Sequence, residues 1–345
     1  MLKINNLILP VKYTEQDVTE QIIKTLKIGS YDIISVRVLR DSVDAHRRDS
    51  IVRCISAAVS LRGEKRFIGM KNVEKYEPYC YEYPAASRLK LRPVIVGSGP
   101  AGLFCALILA SCGAQPIVLE RGSDVDTRVK KVSSFFKNGI LDPKCNIQFG
   151  EGGAGTFSDG KLNTGTRDPR QKKVLEEFVR HGAPEDILTN AKPHIGTDML
   201  KGTVKNIRKE IIALGGEVMF DTLLTDIDIE NGAVSGVFTD NGYIKTDTVI
   251  LAAGHSARDT FKMLYSHNVL MSKKAFSVGV RIEHPQKLIN DAMYHTQSPD
   301  LPPADYKTAV HLKDGRGVYT FCMCPGGSVV AAASEPETVV TNGMS

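Results

Sequence analysis

Hydrophobic and polar positions change their spacing along the chain, and each change marks a different kind of element. Leu2 to Pro10 reads as extended chain. Thr14 to Leu26 reads as a helix: Thr14 and Asp17 mark its start, Val18, Ile22, Ile23 and Leu26 share one face, and Gly29 follows. Ile33–Leu39 and Ile51–Leu61 then alternate like strands, joined by the polar stretch DSVDAHRRDS. This β-α-β-β order predicts a small α+β lobe over residues 1–90, ferredoxin-like in outline.

From Pro93 short β-branched runs alternate with apolar helices, which predicts a doubly wound α/β sheet. One later helix is capped by Asp168-Pro169, carries Val174, Leu175, Phe178 and Val179 on its apolar face, and stops at Gly182. A second repeats Leu200, Val204, Ile207, Ile211 and Leu214 before Gly215-Gly216. EVMFD, LLTDIDI, AVSGVFT and YIKTD, parted by turn residues such as Asn231-Gly232 and Asn241-Gly242, predict a β-meander leading into VILAAG. Arg281 and Glu283 alternate with Val280 and Ile282 as in a half-buried strand. The expected units are thus 1–90, a nucleotide-binding domain over 91–274, and a β-rich substrate or capping domain over 275–345.

Val94 to Leu119 carries no charged residue and is long enough on paper to cross a bilayer. Gly97, Gly99, Gly102, Gly113, Pro100 and Pro116 divide it into strand, turn, helix and strand, so no membrane span is expected. Seven cysteines in a chain of 345 residues, with no CxxC and no signal-peptide pattern, point to reduced thiols and a cytoplasmic protein. The formal net charge of +5 is spread over the chain, so nucleic acid is not an expected partner. Arg40, His46, Arg47 and Arg48 are interleaved with Asp41, Asp44 and Asp49, which reads as a solvated loop. Tyr76, Tyr79, Tyr81 and Tyr83 read as a linker packed on a neighbouring surface.

The main chemical signal is PVIVGSGPAGLFCALILASCGAQPIVLER. Gly97, Gly99 and Gly102 match G-x-G-x-x-G where the first strand turns into a helix, with Ser98, Pro100 and Ala101 between them. The first glycine permits the tight turn, the second lets a pyrophosphate approach the backbone, and the third lets helix and strand pack closely. Glu120 ends the second strand, where a carboxylate meets an adenosine ribose, and Arg121 follows it. An acid there disfavours a 2′-phosphate. These residues predict a dinucleotide site.

Residues 150–163, GEGGAGTFSDGKLN, repeat the glycine spacing without the flanking strand and helix, so a second dinucleotide turn is not expected; the stretch resembles the flavin-cradling loop of two-domain flavoproteins, with a surface Gly-rich loop as the plainer alternative. Gly153, Gly155, Thr156, Ser158, Leu162 and Asn163 would cradle the cofactor with backbone N–H groups and side chains. Lys161 would supply positive charge to the anion that reduction creates. Leu224, within LLTDI, and Ala253-Gly254, at the end of DTVILAAG, look like the strands that meet adenine and close over the cofactor.

With VGVRIEHP at 278–285 and CMCPGG at 322–327, these motifs make residues 91–345 similar to the FAD-utilising dehydrogenases, a family of two-domain flavoproteins. The resemblance implies a Rossmann-like FAD-binding sheet, FAD as cofactor and an FAD-dependent oxidoreductase acting on a small-molecule substrate or electron acceptor. NAD(P)H would be a transient electron donor. The family's closing G-D-containing strand and helix are not present before VVTNGMS, so the β-rich part is expected to be incomplete. The alternative from another class is a non-catalytic adaptor or fragment whose N-terminal lobe binds a protein or RNA.

Cys322 and Cys324 form a C-x-C that reads as buried structural cysteine, since the C-x4-C of flavin disulfide reductases is absent. His194, His255, His284 and His311 lack metal-ligand spacing, and no metal is expected. His255, directly after Gly254, is the best-placed acid or base, although a histidine satisfied in a loop is the simpler reading. No catalytic residue is assigned.

Overall fold

A computed structural model describes residues 1–47, 50–84, 89–158, 160–162, 164–296, 298–321 and 323–344. Strand β1 (Leu2–Leu9) leads into helix α1 (Glu15–Leu26). The Thr14 N–H donates to the Asp17 carboxylate at 2.7 Å while the Asp17 N–H donates to the Thr14 hydroxyl at 3.3 Å, a reciprocal cap. Strands β2 (Ile33–Asp44), β3 (Val52–Leu61) and β4 (Val73–Lys75) complete an antiparallel sheet of order β2-β3-β1-β4. Ile4, Leu7, Val18, Ile22, Ile55 and Val59 bury its core under α1. β2 outruns the alternation that marks its start: Asp41 to Asp44 stay paired with Ile55 to Val52, because ladder bonds use the backbone whatever the side chain. β4 is too short to show a period.

The second body begins with β5 (Val94–Val96), α2 (Pro100–Ser111), β6 (Ile117–Leu119) and α3 (Val125–Asn138). It continues through α4 (Arg170–Arg180), α5 (Thr197–Ala213) and β7 (Glu217–Met219). β8 (Leu224–Glu230), β9 (Ala233–Thr239), β10 (Gly242–Lys245) and β11 (Val249–Leu251) follow. β11, β5, β6 and β7 form a parallel sheet in that order, as in the α/β dinucleotide-binding fold. α2, α4 and α5 cover one face through Leu103, Leu107, Phe178, Val204 and Ile207, and the antiparallel sheet β8–β10 covers the other through Leu224, Ile227 and Val237. EVMFD departs from its expected place: β7 pairs parallel with β6 and only β8–β10 form the meander. Three apolar-polar positions look alike in either sheet, so tertiary packing decides.

Beyond β11 come α6 (Arg258–Ser266), α7 (Gln286–Tyr294) and two hairpins, β12 (Ala309–His311) with β13 (Gly317–Tyr319) and β14 (Ser328–Ala331) with β15 (Thr341–Met344). The alternating Val280–Glu283 segment is not a strand. It has no ladder partner among the described residues, and Val280 is 97% exposed. Ile289 and Tyr294 of α7 pack with Val43 and Ile51 of the N-terminal lobe. Asp41 also exchanges backbone bonds with the main body, accepting from Ala191 N–H and donating to Thr189 C=O, both at 2.8 Å. The tyrosine linker lies on α4, where Lys172 donates to Tyr79 C=O at 3.2 Å and Lys173 sits 4.8 Å from the Tyr83 ring centroid. Among the described residues no helix is long and apolar enough to cross a membrane.

Candidate cofactor-binding site

The buried run Val94-Ile95-Val96 delivers the chain to Gly97, whose φ of +101° belongs to glycine. A Cβ there would also stand 2.5 Å from Ala252 C=O at the end of β11. A Cβ on Gly102 would fall 1.8 Å from Gly97 C=O, so helix α2 can leave the turn at this angle only if position 102 has no side chain. Gly99 caps α2 and Pro100 occupies its first turn, and no side chain caps the helix. Its first N–H groups and the positive end of its dipole therefore face outward, ready for an anion.

A cavity of about 380 Å³ opens at that point, between the carboxyl ends of β5 and β11, where the strand order reverses. Gly97, Gly99, Pro100 and Ala101 form its floor, and Glu120 and Arg121 close it on the β6 side. Gly153 and Gly155 form the opposite wall, with Leu224 and Ala253-Gly254 at the rim. Ser98, Gly102 and Thr156 are buried beneath this surface rather than lining it. Ser158, Lys161 and Leu162 also lie off the cavity. Lys161 is bridged antiparallel to His194, and the Leu162 N–H donates to Pro193 C=O at 3.0 Å, so the far end of the glycine loop is committed to residues 193–195. Asn163 falls outside the described residues.

Two buried charges hold the glycine loop in place. Glu120, 4% exposed, accepts from Ser98 N–H at 2.9 Å and Ser98 Oγ at 2.7 Å on Oε2, and from Gly122 N–H at 2.9 Å and Gly150 N–H at 3.0 Å on Oε1. Arg128 of α3 is fully buried and works from below. Its guanidinium donates to the carbonyls of Asn146 (3.0 Å), Ile147 (3.0 Å), Gly150 (3.2 Å) and Glu151 (2.6 Å), and lies 4.8 Å from the Phe157 ring centroid. Desolvation pulls the Arg128 pKa down to about 10, with Glu120 and Glu151 opposing the shift. Glu151 accepts from Val125 N–H at 2.7 Å and pairs with Arg208 at 2.9 Å, and burial pushes its carboxyl above the ordinary glutamate value.

Arg121 is held flat: both its terminal nitrogens donate to Asp259 of α6 at 3.0 Å, and it lies 4.4 Å from the Phe149 ring centroid. Partial burial raises the Asp259 pKa, but the Arg121 guanidinium outweighs this and keeps the carboxyl below the usual aspartate value.

Sequence reasoning had no signal for Arg128 and Glu151, nor for Gln148, Phe149 and Thr222, which also line the cavity. His255 and Ser256 line it as well, with His255 Nε2 3.2 Å from Ser256 Oγ. The arrangement fits an adenine dinucleotide: an uncapped helix end for the pyrophosphate, and a backbone at Gly99 where an added Cβ would meet nothing closer than Gly153 Cα at 3.8 Å.

Comparison with known proteins finds a family match over part of the chain and a relative that is longer than this chain. Residues 275–345 match the family described as FAD-dependent protein, C-terminal domain-like, and residues 1–60 match a domain of unknown function. An uncharacterized protein of Clostridium beijerinckii is 46% identical over 352 residues, covering 100% of this chain and 66% of its own length. Among solved structures, THI4 of Thermovibrio ammonificans is 18% identical over 52% of this chain and 64% of its own, with a TM-score of 0.34. Glycine oxidase of Bacillus cereus is 16% identical over 51% of this chain and 58% of its own, at 0.29. Likeness of this order carries nothing about chemistry.

Proposed function

We propose that this chain, whose residues 275–345 match the family described as FAD-dependent protein, C-terminal domain-like, is an oxidoreductase that holds FAD by its adenosine diphosphate half between the two glycine turns. The observation that carries this reading is the uncapped α2 N-terminus at the strand-order reversal, bordered by Gly97, Gly99 and Glu120. When bound, FAD supplies the hydride or electron transfer. The chain's own residues hold and orient it. Backbone N–H groups at 101–102 would meet the pyrophosphate, Leu224 would pack on the adenine end, and Ala253-Gly254 would close the rim. Arg121, fixed by Asp259, would wall the cavity on the β6 side. His255 and Ser256 are the side chains placed where a proton could be held next to the cofactor.

The Glu120 carboxylate near the ribose end favours a cofactor without a 2′-phosphate. A nicotinamide donor would then act as a transient visitor, with a small molecule as the second substrate.

The test is direct. Purified protein is expected to show flavin absorption bands, or to develop them on addition of FAD, and the bands are expected to bleach anaerobically with NADH or NADPH. Gly99→Trp is expected to abolish binding, because an indole would fill the approach to the backbone. A colourless protein that does not take up FAD would overturn the reading.

A further inference from the structure

Arg121 follows the acid at the end of β6, the place where an arginine of a dinucleotide fold can take up a 2′-phosphate. Here its fork is already occupied. Nη1 donates to Asp259 Oδ2 and Nη2 to Asp259 Oδ1, each at 3.0 Å, and Nη2 also reaches Thr260 Oγ at 3.3 Å. Arg121 lines the cavity whereas Asp259 and Thr260 do not, so these bonds turn both terminal nitrogens away from it. A carboxylate and a phosphate meet a guanidinium through the same pair of parallel bonds, and they compete for one fork.

Asp259 is held in its turn. It stands in the first turn of α6, where the helix dipole favours a carboxylate, and its Oδ1 also accepts from Thr260 N–H at 2.9 Å. Met263 and Leu264 of the same helix pack against the core of Leu224 and Ile227. The Arg121 guanidinium lies 4.4 Å from the ring centroid of the buried Phe149, so it is fixed through its face as well as its edge.

We propose that Asp259 is a positioning residue that turns the Arg121 fork out of the cavity, so that the site takes an adenosine with a free 2′-hydroxyl and refuses one phosphorylated there. The proposal rests on the dinucleotide reading above. It adds a second determinant beside the Glu120 carboxylate, one that acts through Arg121 without touching the nucleotide.

Calorimetric titration compares ADP with 2′-phospho-ADP on the unmodified chain, on Asp259→Ala, and on Asp259→Ala combined with Arg121→Ala. The unmodified chain is expected to bind ADP at least about tenfold more tightly than 2′-phospho-ADP. A guanidinium freed to meet a phosphate gains charge-assisted bonds worth about tenfold in affinity, so Asp259→Ala is expected to narrow the preference by about that factor. In the double variant the narrowing is expected to vanish, whereas an effect of removing negative charge alone would persist.

An ADP preference unchanged in Asp259→Ala, or a narrowing that survives in the double variant, would overturn the proposal. So would 2′-phospho-ADP binding the unmodified chain as tightly as ADP, a result that needs no variant to fold. If the unmodified chain binds neither nucleotide, the dinucleotide reading falls and this proposal with it. If it binds ADP but the ratio does not respond to Asp259, only the proposal falls.

Discussion

Residues 94–257 and residues 268–344 solve opposite problems. The first region hides charge: Arg128, Glu120 and Glu151 are buried, and each is bonded by backbone or an opposite charge. The second displays grease: Leu270, Val280 and Val339 are more than 90% exposed, and Phe276 and Val278 are 86% exposed. A buried charge survives only where its surroundings are rigid enough to keep every partner in reach. An exposed apolar run marks a surface whose contacts lie elsewhere. The α/β half therefore keeps its buried ionic groups paired within itself, and the segment that carries the family likeness is the less self-sufficient one.

That contrast can be broken most severely at Arg128. Arg128→Met strips four loop carbonyls of their donor, and chemical denaturation is expected to show a loss of about 3–5 kcal/mol together with loss of nucleotide binding. A loss below about 1 kcal/mol would mean that the buried charge is not what orders the loop. Gly97→Ala comes next, at about 2–3 kcal/mol, from the left-handed φ and the approach of Ala252 C=O, read by the same measurement.

Asp259→Asn is milder, about 0.5 kcal/mol, because the carboxylate of the Arg121 pair is half exposed. Since the Asp259 pKa is held below 3.8, the pair's contribution is present above that pH and is lost as the pH falls below it. In a denaturation series run downward from pH 6, the gap between the unmodified chain and Asp259→Asn is expected to narrow only once the pH is below 3.8. Smallest of all, Val280→Ser and Leu270→Ser are expected to move stability by no more than about 0.5 kcal/mol. A larger loss at either position would show that this segment is covered in solution, and would erase the contrast.

The two halves also differ in how far they could be read from residue order. The G-x-G-x-x-G turn, its strand and helix, and the acid at 120 were legible because glycine's backbone freedom and helix spacing are local properties. The rim residues Leu224 and Gly254 came instead from the likeness of LLTDI and DTVILAAG to flavoprotein strands, not from a local rule. Arg128 was not legible, since its acceptors lie 18 to 23 positions away in a loop with no period of its own. The Arg121–Asp259 pair spans 138 positions and was equally invisible. Lys161 was placed by loop chemistry at the reducible end of a flavin. The backbone sets it beside His194, because the peptide groups of 160 and 162 pair with residues 195 and 193. In the C-terminal part, Val280–Glu283 shows why alternation alone is insufficient: a two-residue period becomes a strand only when another edge offers a ladder.

The double backbone bond at Asp41 makes the N-terminal lobe a clamped lever rather than a tethered flag. The peptide it grips at 189–191 runs within two residues into 193–195, the stretch that pins the distal end of the glycine loop. Cutting the chain just before β5 would strip Thr189 C=O and Ala191 N–H of their mates and slacken that stretch. An α/β body prepared without the first ninety residues would thus differ from the intact chain along its glycine loop, not merely at its amino end.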